Sequence, residues 1–551
     1  MIMDINSDNK NQKDMNKIFK KTAFLACLLA VFFTTACNDI FNEVKSLKTD
    51  RIFSPINFSA ALNKTQVTFA WTAADSAVSY TLQVSLDSLD YSHPVLDTTV
   101  TKLSYVQEFA GATKFYAQIR SNASNVIKAS TFNNKLSFKI PAENLFSSYS
   151  TIMTGMNQVT VKWTPGANVN HLVLTASDNT TQSIQLVASD ITAGSKTITS
   201  LSNSTYKVQI FNGSIVRGET SALVEGDVYL AAGGDLLAAI TAATAGQVIV
   251  LQPGGLYTMG SATYKLSKNI KVRGLLPTNL PILAMTTGAT ATSSMLGFVD
   301  GSVISSVAFE NIDFTGYCDN SATAVKIGYL FNNNVLTTVT SLSFNNCKLR
   351  NFGNTPMRLQ GGKNQVIDVL SFNNCTIYDI GFVSTYAVVN SNSADLINTV
   401  KFNNCTVYNF KGSLVLRTGQ TMNSISVTNC TINQGMQDAS SARYLMDLNT
   451  AVFSGSGVTI KNCIFGSTGS TLGANGMRYV VGTPVAITGC YYATDYVDDA
   501  VPLVTSSSIK GSMTAYTGAS TALWISPTTG DFTLKDTSFK GKGTTGDLRW
   551  Y

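Results

Sequence analysis

Six apolar stretches in the second half of the sequence can be aligned as strands, and five of them carry a base. They are KIGYLF from Lys326, MRLQG from Met357, STYAVV from Ser384, LVLRTG from Leu414, RYLMDL from Arg443 and MRYVVG from Met477. Successive side chains on a strand face opposite ways, so Met357 and Leu359 are expected inward and Arg358 outward. The same alternation predicts Arg417 outside with Leu414 and Leu416 inside, and Arg478 outside with Met477 and Tyr479 inside. Arg443 and Lys326 are expected outside too, while the third stretch offers Thr385 beside an inward Tyr386. A guanidinium is a planar fork that pairs bidentately with carboxylate or sulfate, so a stripe of bases suits an extended polyanion. Gln360 and Asp447 are expected to add hydrogen bonds to sugar hydroxyls. The plainer alternative is that outward strand positions are simply polar, Arg being one common choice.

Other chemistries find less support. His93 and His171 are the only histidines and fall in different parts of the chain, which argues against a histidine triad or a multi-histidine zinc site. Calcium needs several clustered oxygen ligands, and Asp447 stands alone in the stripe, with Asp313, Asp368, Asp379 and Asp395 out of register. Glycoside hydrolysis needs two suitably spaced carboxyl groups, and these strands offer no pair. No metal site, cofactor or catalytic residue is therefore assigned. The net charge of +6 over 551 residues gives no argument for nucleic-acid binding.

The elements that would position the stripe are visible as a repeat. FNNCKL begins at Phe344, FNNCTI at Phe372 and FNNCTV at Phe402; FENIDF at Phe309 precedes them, and VTNCTI at Val427, IKNCIF at Ile460 and ITGCYY at Ile487 follow. The cysteines at 347, 375, 405, 430, 463 and 490 are spaced by 28, 30, 25, 33 and 27 residues. A constant motif at a variable period predicts one solenoid turn per repeat with loops of differing length. Asn311, Asn346, Asn374, Asn404, Asn429 and Asn462 share one turn position, where Gly489 follows them. Asn and Gly accept a left-handed backbone most readily, so a left-handed corner is expected there, with amides stacked about 4.8 Å apart. The cysteines are expected as an inward column of small apolar fillers, with Ile312 in the first copy, in preference to disulfides.

Upstream, Gln66 to Ser88 alternates as two strands around Trp71 and Tyr80, and the pattern recurs around Trp163. Both resemble fibronectin type III modules, spanning 52–141 and 142–225. Lys17, Lys20 and Lys21 followed by the apolar run Ala23 to Thr35 read as a signal peptide over 1–36, whether translation starts at Met1 or Met15. TTAC at Thr34 to Cys37 resembles a bacterial lipobox with Cys37 as the lipidated residue, leaving 37–51 as a linker. The apolar run is too short to span a bilayer comfortably, which implies a lipid anchor to the membrane rather than a spanning helix.

The stretch GGDLLAAITAATAGQVIVLQPGGLYTM after Gly226, with a short helix over Leu236 to Ala243, resembles the N-terminal cap of right-handed parallel β-helices of the pectate-lyase superfamily. That resemblance implies an all-β chain: two fibronectin-like sandwiches, a β-helix over 226–505, and a closing segment over 506–551 whose GDF.L strand ends the stack. It implies ligands along the sheet formed by the six stretches above. The GDLRW ending resembles uncharacterised outer-membrane surface lipoproteins found with polysaccharide-capture systems, which implies other surface glycan-capture proteins as further partners. The expected function is binding of an acidic, uronate-rich polysaccharide. One alternative is a polysaccharide lyase acting by β-elimination, with calcium or with Lys326 or an Arg neutralising the carboxylate. Another is a structural or adhesive protein without enzymatic activity.

Overall fold

The computed structural model describes residues 51–551 apart from 125–127, 133, 148–149, 392–393, 420, 439–442, 469–473 and 499–505. The signal segment 1–36, Cys37 and nearly all of the linker lie outside the described residues. The chain divides into two compact units. One holds residues up to Phe146 with Asn168–Leu172 and Gln209–Glu219; the other holds Ser147–Ala167, Val173–Val208 and Thr220–Tyr551.

The first module consists of β1 (Ile56–Asn63), β2 (Gln66–Thr72), β3 (Ser79–Ser85), β4 (Leu96–Val100), β5 (Ser104–Glu108), β6 (Lys114–Asn122) and β7 (Asn134–Lys139). They form two antiparallel sheets, ordered β1-β2-β5 and β4-β3-β6-β7, as in a fibronectin type III sandwich. Val67, Phe69 and Trp71 alternate into the core, where the Trp71 ring meets Tyr80 edge-on at 5.5 Å. The second module repeats the order with β8 (Thr151–Gly155), β9 (Gln158–Lys162), β10 (His171–Thr175), β11 (Thr181–Gln185), β12 (Ser195–Ile198), β13 (Ser204–Asn212) and β14 (Ile215–Val224). Its sheets run β12-β9-β8 and β11-β10-β13-β14.

From Val228 the strands become parallel and build a β-helix. Each coil passes through three sheets of 10, 10 and 9 strands in turn. The first sheet runs from Val228–Leu230 to Val485–Thr488, the second from Leu256–Thr258 to Thr514–Ala515, and the third from Tyr264–Leu266 to Ser506–Ser507. The helix Leu236–Ala242 starts under an Asp235 cap, whose carboxylate accepts the Ala238 N–H at 2.9 Å. It buries Leu236 and Ile240 in the same core as the first coils. Such a lid hides an apolar end that a stack of strands would otherwise leave open.

The corner between the first and second sheets is where the repeat motif sits. Asn311, Asn346, Asn374, Asn404, Asn429 and Asn462 all adopt φ between 50° and 56°, and Gly489 adopts 65°. With the corner fixed, coils align residue for residue, so Phe309, Phe344, Phe372 and Phe402 share one inward column. Their rings stack at 5.5, 5.2 and 4.9 Å with interplanar angles of 19°, 10° and 15°. The seven cysteines from Cys318 to Cys490 are free and buried. Cys375 and Cys405 donate Sγ–H to the carbonyls of Phe344 and Phe372 at 3.3 Å, so they fill space and serve the backbone together.

The amides at the corner form pairs rather than one unbroken ladder. Asn346 Nδ2 donates to Asn311 Oδ1 at 2.8 Å, and Asn404 Nδ2 to Asn374 Oδ1 at 2.7 Å. One residue earlier Asn373 donates to Asn345 at 2.9 Å. Other backbone claims the rest: Asn311 Nδ2 turns to the Gly274 carbonyl, and Asn404 Oδ1 accepts the Leu548 N–H at 2.8 Å.

That last bond belongs to a C-terminal strap. The GDF.L strand does not end the stack as the sequence led us to expect. Asp531–Leu534 pairs antiparallel with Trp524–Ser526 in a hairpin of its own. Trp524, Phe532, Phe539 and Leu523 then cluster with Tyr408 and Ile464, side chains on the outer side of the second sheet. The apolar character of the strap is spent on the flank of the solenoid, because Tyr378, Tyr408 and Ile464 there need cover. Beyond it, Asp547 accepts from the Thr406 hydroxyl at 2.6 Å, Trp550 Nε1 donates to the same hydroxyl at 2.7 Å, and Arg549 donates to the carbonyls of Asn374 and Cys375.

If backbone conformation is the main reason for asparagine at this corner, Asn429 tests it. Asn429→Gly should retain nearly full stability in urea unfolding. Asn429→Ala, which must hold a side chain in the left-handed region without a helpful amide, should lose about 1–2 kcal/mol.

Candidate functional site

The third sheet carries the segments that the sequence marks for ligand binding. Its inward column runs Leu296, Phe331, Met357, Val389, Val415, Met446 and Met477. The adjacent outward column runs Lys265 and Gly297, then Asn332, Arg358, Asn390, Leu416, Asp447 and Arg478. The expected row of five bases is therefore not what the strands present.

Arg417 is the clearest correction. Its strand is Val415–Arg417, and Val415 takes the inward place, so Leu416 faces outward and Arg417 turns in beside Ser391. Leu414 is buried as well, just ahead of the strand, which is why alternation counted from Leu414 fails by one residue. Arg417 is only 1% exposed. Its Nη1 donates to the Asp395 carbonyl at 2.5 Å, while Nε and Nη2 have no partner among the described residues. The Asp395 carboxylate is occupied by the N–H groups of Gly362 and Lys363. Burial pushes the Arg417 guanidinium down to about 10, against the opposing pull of Asp395.

Tyr386 is corrected too. Its strand begins only at Val389, so the ring lies outside the core and Thr385 is not on the outward column, where Asn390 stands instead. Lys326 precedes its strand, Tyr329–Asn333, forms a bridge with Tyr317, and holds its ammonium 4.8 Å over that ring. Arg478 faces outward as expected but grips Asp447 with both forks, at 2.8 and 2.7 Å, over the Tyr444 ring. That hydrogen-bonded pairing holds the Arg478 guanidinium above its ordinary range and consumes Asp447 as a sugar ligand. Arg443 is clamped by Asp438 through Nε and Nη2 at 2.8 and 2.5 Å. Gln360 lies just past its strand, its N–H on the Asn333 carbonyl and its carbonyl on Gln365 Nε2.

Arg358 is different. Among the described residues it is the outward arginine of this sheet without a carboxylate partner. Its guanidinium lies 4.5 Å from the centre of the Tyr386 ring and 5.7 Å from that of Tyr329, and Nη1 donates to the Tyr329 hydroxyl at 3.1 Å. A charge over two π faces is held in one orientation and still lacks an anion. Asn332 and Asn390 flank it in register, and both side-chain carbonyls are buried without a partner among the described residues. Unsatisfied buried acceptors are uncommon in native proteins and mark places where more than packing is being served. Sequence reasoning missed Tyr329, Asn332, Asn390 and Lys265. Counting outward places from the Phe331–Met357 register would have found the last three; Tyr329 and Tyr386 reach the site from the strand start and a loop.

Among the described residues no group of three or more His, Cys, Asp or Glu side chains could hold a metal ion, and no helix is long and apolar enough to cross a membrane. What the geometry offers is a fixed cation on an aromatic bed beside amides, which suits binding of an anionic, hydroxyl-rich ligand.

The buried guanidinium gives a stability test. Replacing a buried, poorly paired charge by an apolar chain of similar length is neutral or stabilising by about 1–4 kcal/mol. Arg417→Met should therefore unfold at equal or higher urea than the parent at pH 8. Because the folded-state proton is held less tightly than the unfolded one, the parent gains stability relative to Arg417→Met as pH rises from about 10 towards the ordinary guanidinium range.

Comparison with known proteins adds little about chemistry. Residues 425–550 match a family described as "Domain of unknown function (DUF5123)". No curated protein matches the chain. Three solved chicken structures are similar to it over 31% of its length. They are the CNTN1 FN1-FN3 domains (14% identity, 66% of that chain, TM-score 0.14), a two fibronectin type-III domain segment from tenascin (13%, 99%, 0.16) and the interferon gamma receptor alpha chain (13%, 98%, 0.15). This chain thus spans about two thirds of the CNTN1 segment and nearly all of the other two.

Proposed function

We propose that this chain is a lipid-anchored surface protein that binds an acidic polysaccharide on the outward face of the third sheet, centred on Arg358. The observation that carries the reading is the unpaired guanidinium held over Tyr329 and Tyr386. Uronates and sulfated sugars bring the missing anion, and their ring faces pack on tyrosine while hydroxyls pair with neighbouring amides. The resemblance of the β-helix to the pectate-lyase superfamily, and of the Cys37 segment to a lipobox, supports the same reading. In this proposal binding rests on one central cation; Arg443 and Arg478 contribute little because each already holds a carboxylate, and Lys326 because it lies ahead of its strand.

A charged hydrogen-bonded contact is worth about 1.5–3 kcal/mol. Arg358→Ala should accordingly weaken calorimetric binding to polygalacturonate, alginate or hyaluronan by about ten- to a hundredfold, and Tyr386→Ala by less. Arg478→Ala should change it less than twofold. An Arg358→Ala protein that melts normally and binds as before would overturn the proposal. The anchor is checked separately: palmitate incorporated by expressing cells should appear in the parent and vanish in Cys37→Ser.

A further inference from the structure

We propose a second saccharide subsite in the depression beside Gly297, where Lys265 takes a sugar ring bearing an anionic group about three residues along the glycan from the ring at Arg358. The inference builds on the binding face above and adds its extent and the acid spacing of its ligand.

A cleft of about 240 Å³ opens on the third sheet, lined by Thr263, Lys265, Ser294, Gly297, Asn332 and Asn334 among others. Its polar lining includes the paired hydroxyls of Thr263 and Ser294, 3.0 Å apart. Lys265 stands exposed at its edge, with no carboxylate in ion-pair reach among the described residues.

Gly297 is the telling residue. Its φ is not in the left-handed region, so the backbone does not require glycine. Packing does not require it either: a Cβ there would meet only Thr263 Cγ2 at 3.4 Å and Asn333 Oδ1 at 3.7 Å, ordinary contacts. Gly274 in the first sheet shows the opposite case, since a Cβ there would strike the Asn311 carbonyl and the Pro281 ring. A glycine inside a strand costs stability and often marks close approach of a ligand or another backbone. At 297 what the missing side chain leaves is room on the outward face, between Lys265 and Asn332.

The spacing completes the argument. Lys265, Gly297, Asn332 and Arg358 occupy consecutive strands, so the two cations stand three strand steps apart, roughly 14 Å. A pyranose advances along a glycan by a length comparable to one step. A chain lying across the strands therefore sets acidic rings at Lys265 and Arg358, and two rings over the neutral floor of Gly297 and Asn332.

The test uses the full chain with hexasaccharides of galacturonate and alginate, which carry an acid on every ring, in calorimetry. Gly297→Val, with a better strand former at an unstrained position, should melt at or above the parent temperature. It should nevertheless bind the preferred hexasaccharide at least tenfold more weakly. Lys265→Ala should weaken the same binding and reduce its salt dependence. If Arg358→Ala loses affinity while Gly297→Val and Lys265→Ala stay within twofold of the parent, the second subsite is wrong and the site at Arg358 stands. If all three variants bind as the parent does, both are wrong; a parent that binds neither hexasaccharide overturns the second subsite.

Discussion

In the seven coils from Asn311 to Gly489 the chain turns from the first sheet into the second at one residue with a left-handed backbone. That requirement is local, but its consequences run the length of the solenoid. Because each of these coils turns at an equivalent residue, the strands before the corner enter in the same register. Phenylalanine then falls on phenylalanine and cysteine on cysteine. Nothing in the parallel pairing alone would prevent a slip of one residue, which would send a whole inward column to solvent. The corner is what fixes it, and the columns of the third sheet inherit the order so imposed.

This explains which parts of the structure were legible in the sequence. Asn374, Asn404 and Cys405 could be placed from the sequence because their neighbours, the turn and both strands all repeat together. The third sheet lies farthest from that corner, reached through loops of unequal length, and several of its strands are only three residues long. Over so short a run, alternation has no redundancy. Tyr386 was misplaced because its strand starts three residues later, and Arg417 because both Leu414 and Val415 are buried. The carboxylates that neutralise Arg443 and Arg478 come from an adjoining loop and a neighbouring coil. Their identity was visible, but their proximity depends on the register of a particular pair of strands.

The same physics separates Arg358 from the other arginines. Asp447 stands next to Arg478 in the outward column and pairs with its charge, whereas the strands on either side of Arg358 offer amides. A base beside an acid holds the fold; a base beside amides and tyrosines is left with an unmet demand. The chemistry of the face is thus decided less by how many cations it carries than by which neighbours the stacking brings to each.

The strap at the C-terminus gives the solenoid a property that stacking alone cannot. Contacts between adjacent coils bridge about thirty residues of chain, and such arrays can form progressively from one end. The bonds from Arg549 to Asn374 and Cys375 bridge about 175, and those from Gly546, Asp547 and Leu548 reach Asn462, Thr431 and Asn404. Because the strap follows all the coils in sequence, the flank of the central coils stays uncovered until the strap has been synthesised. A chain cut before the strap would leave Tyr408 and Ile464 bare, an apolar signature that tells it apart from a chain that carries the strap.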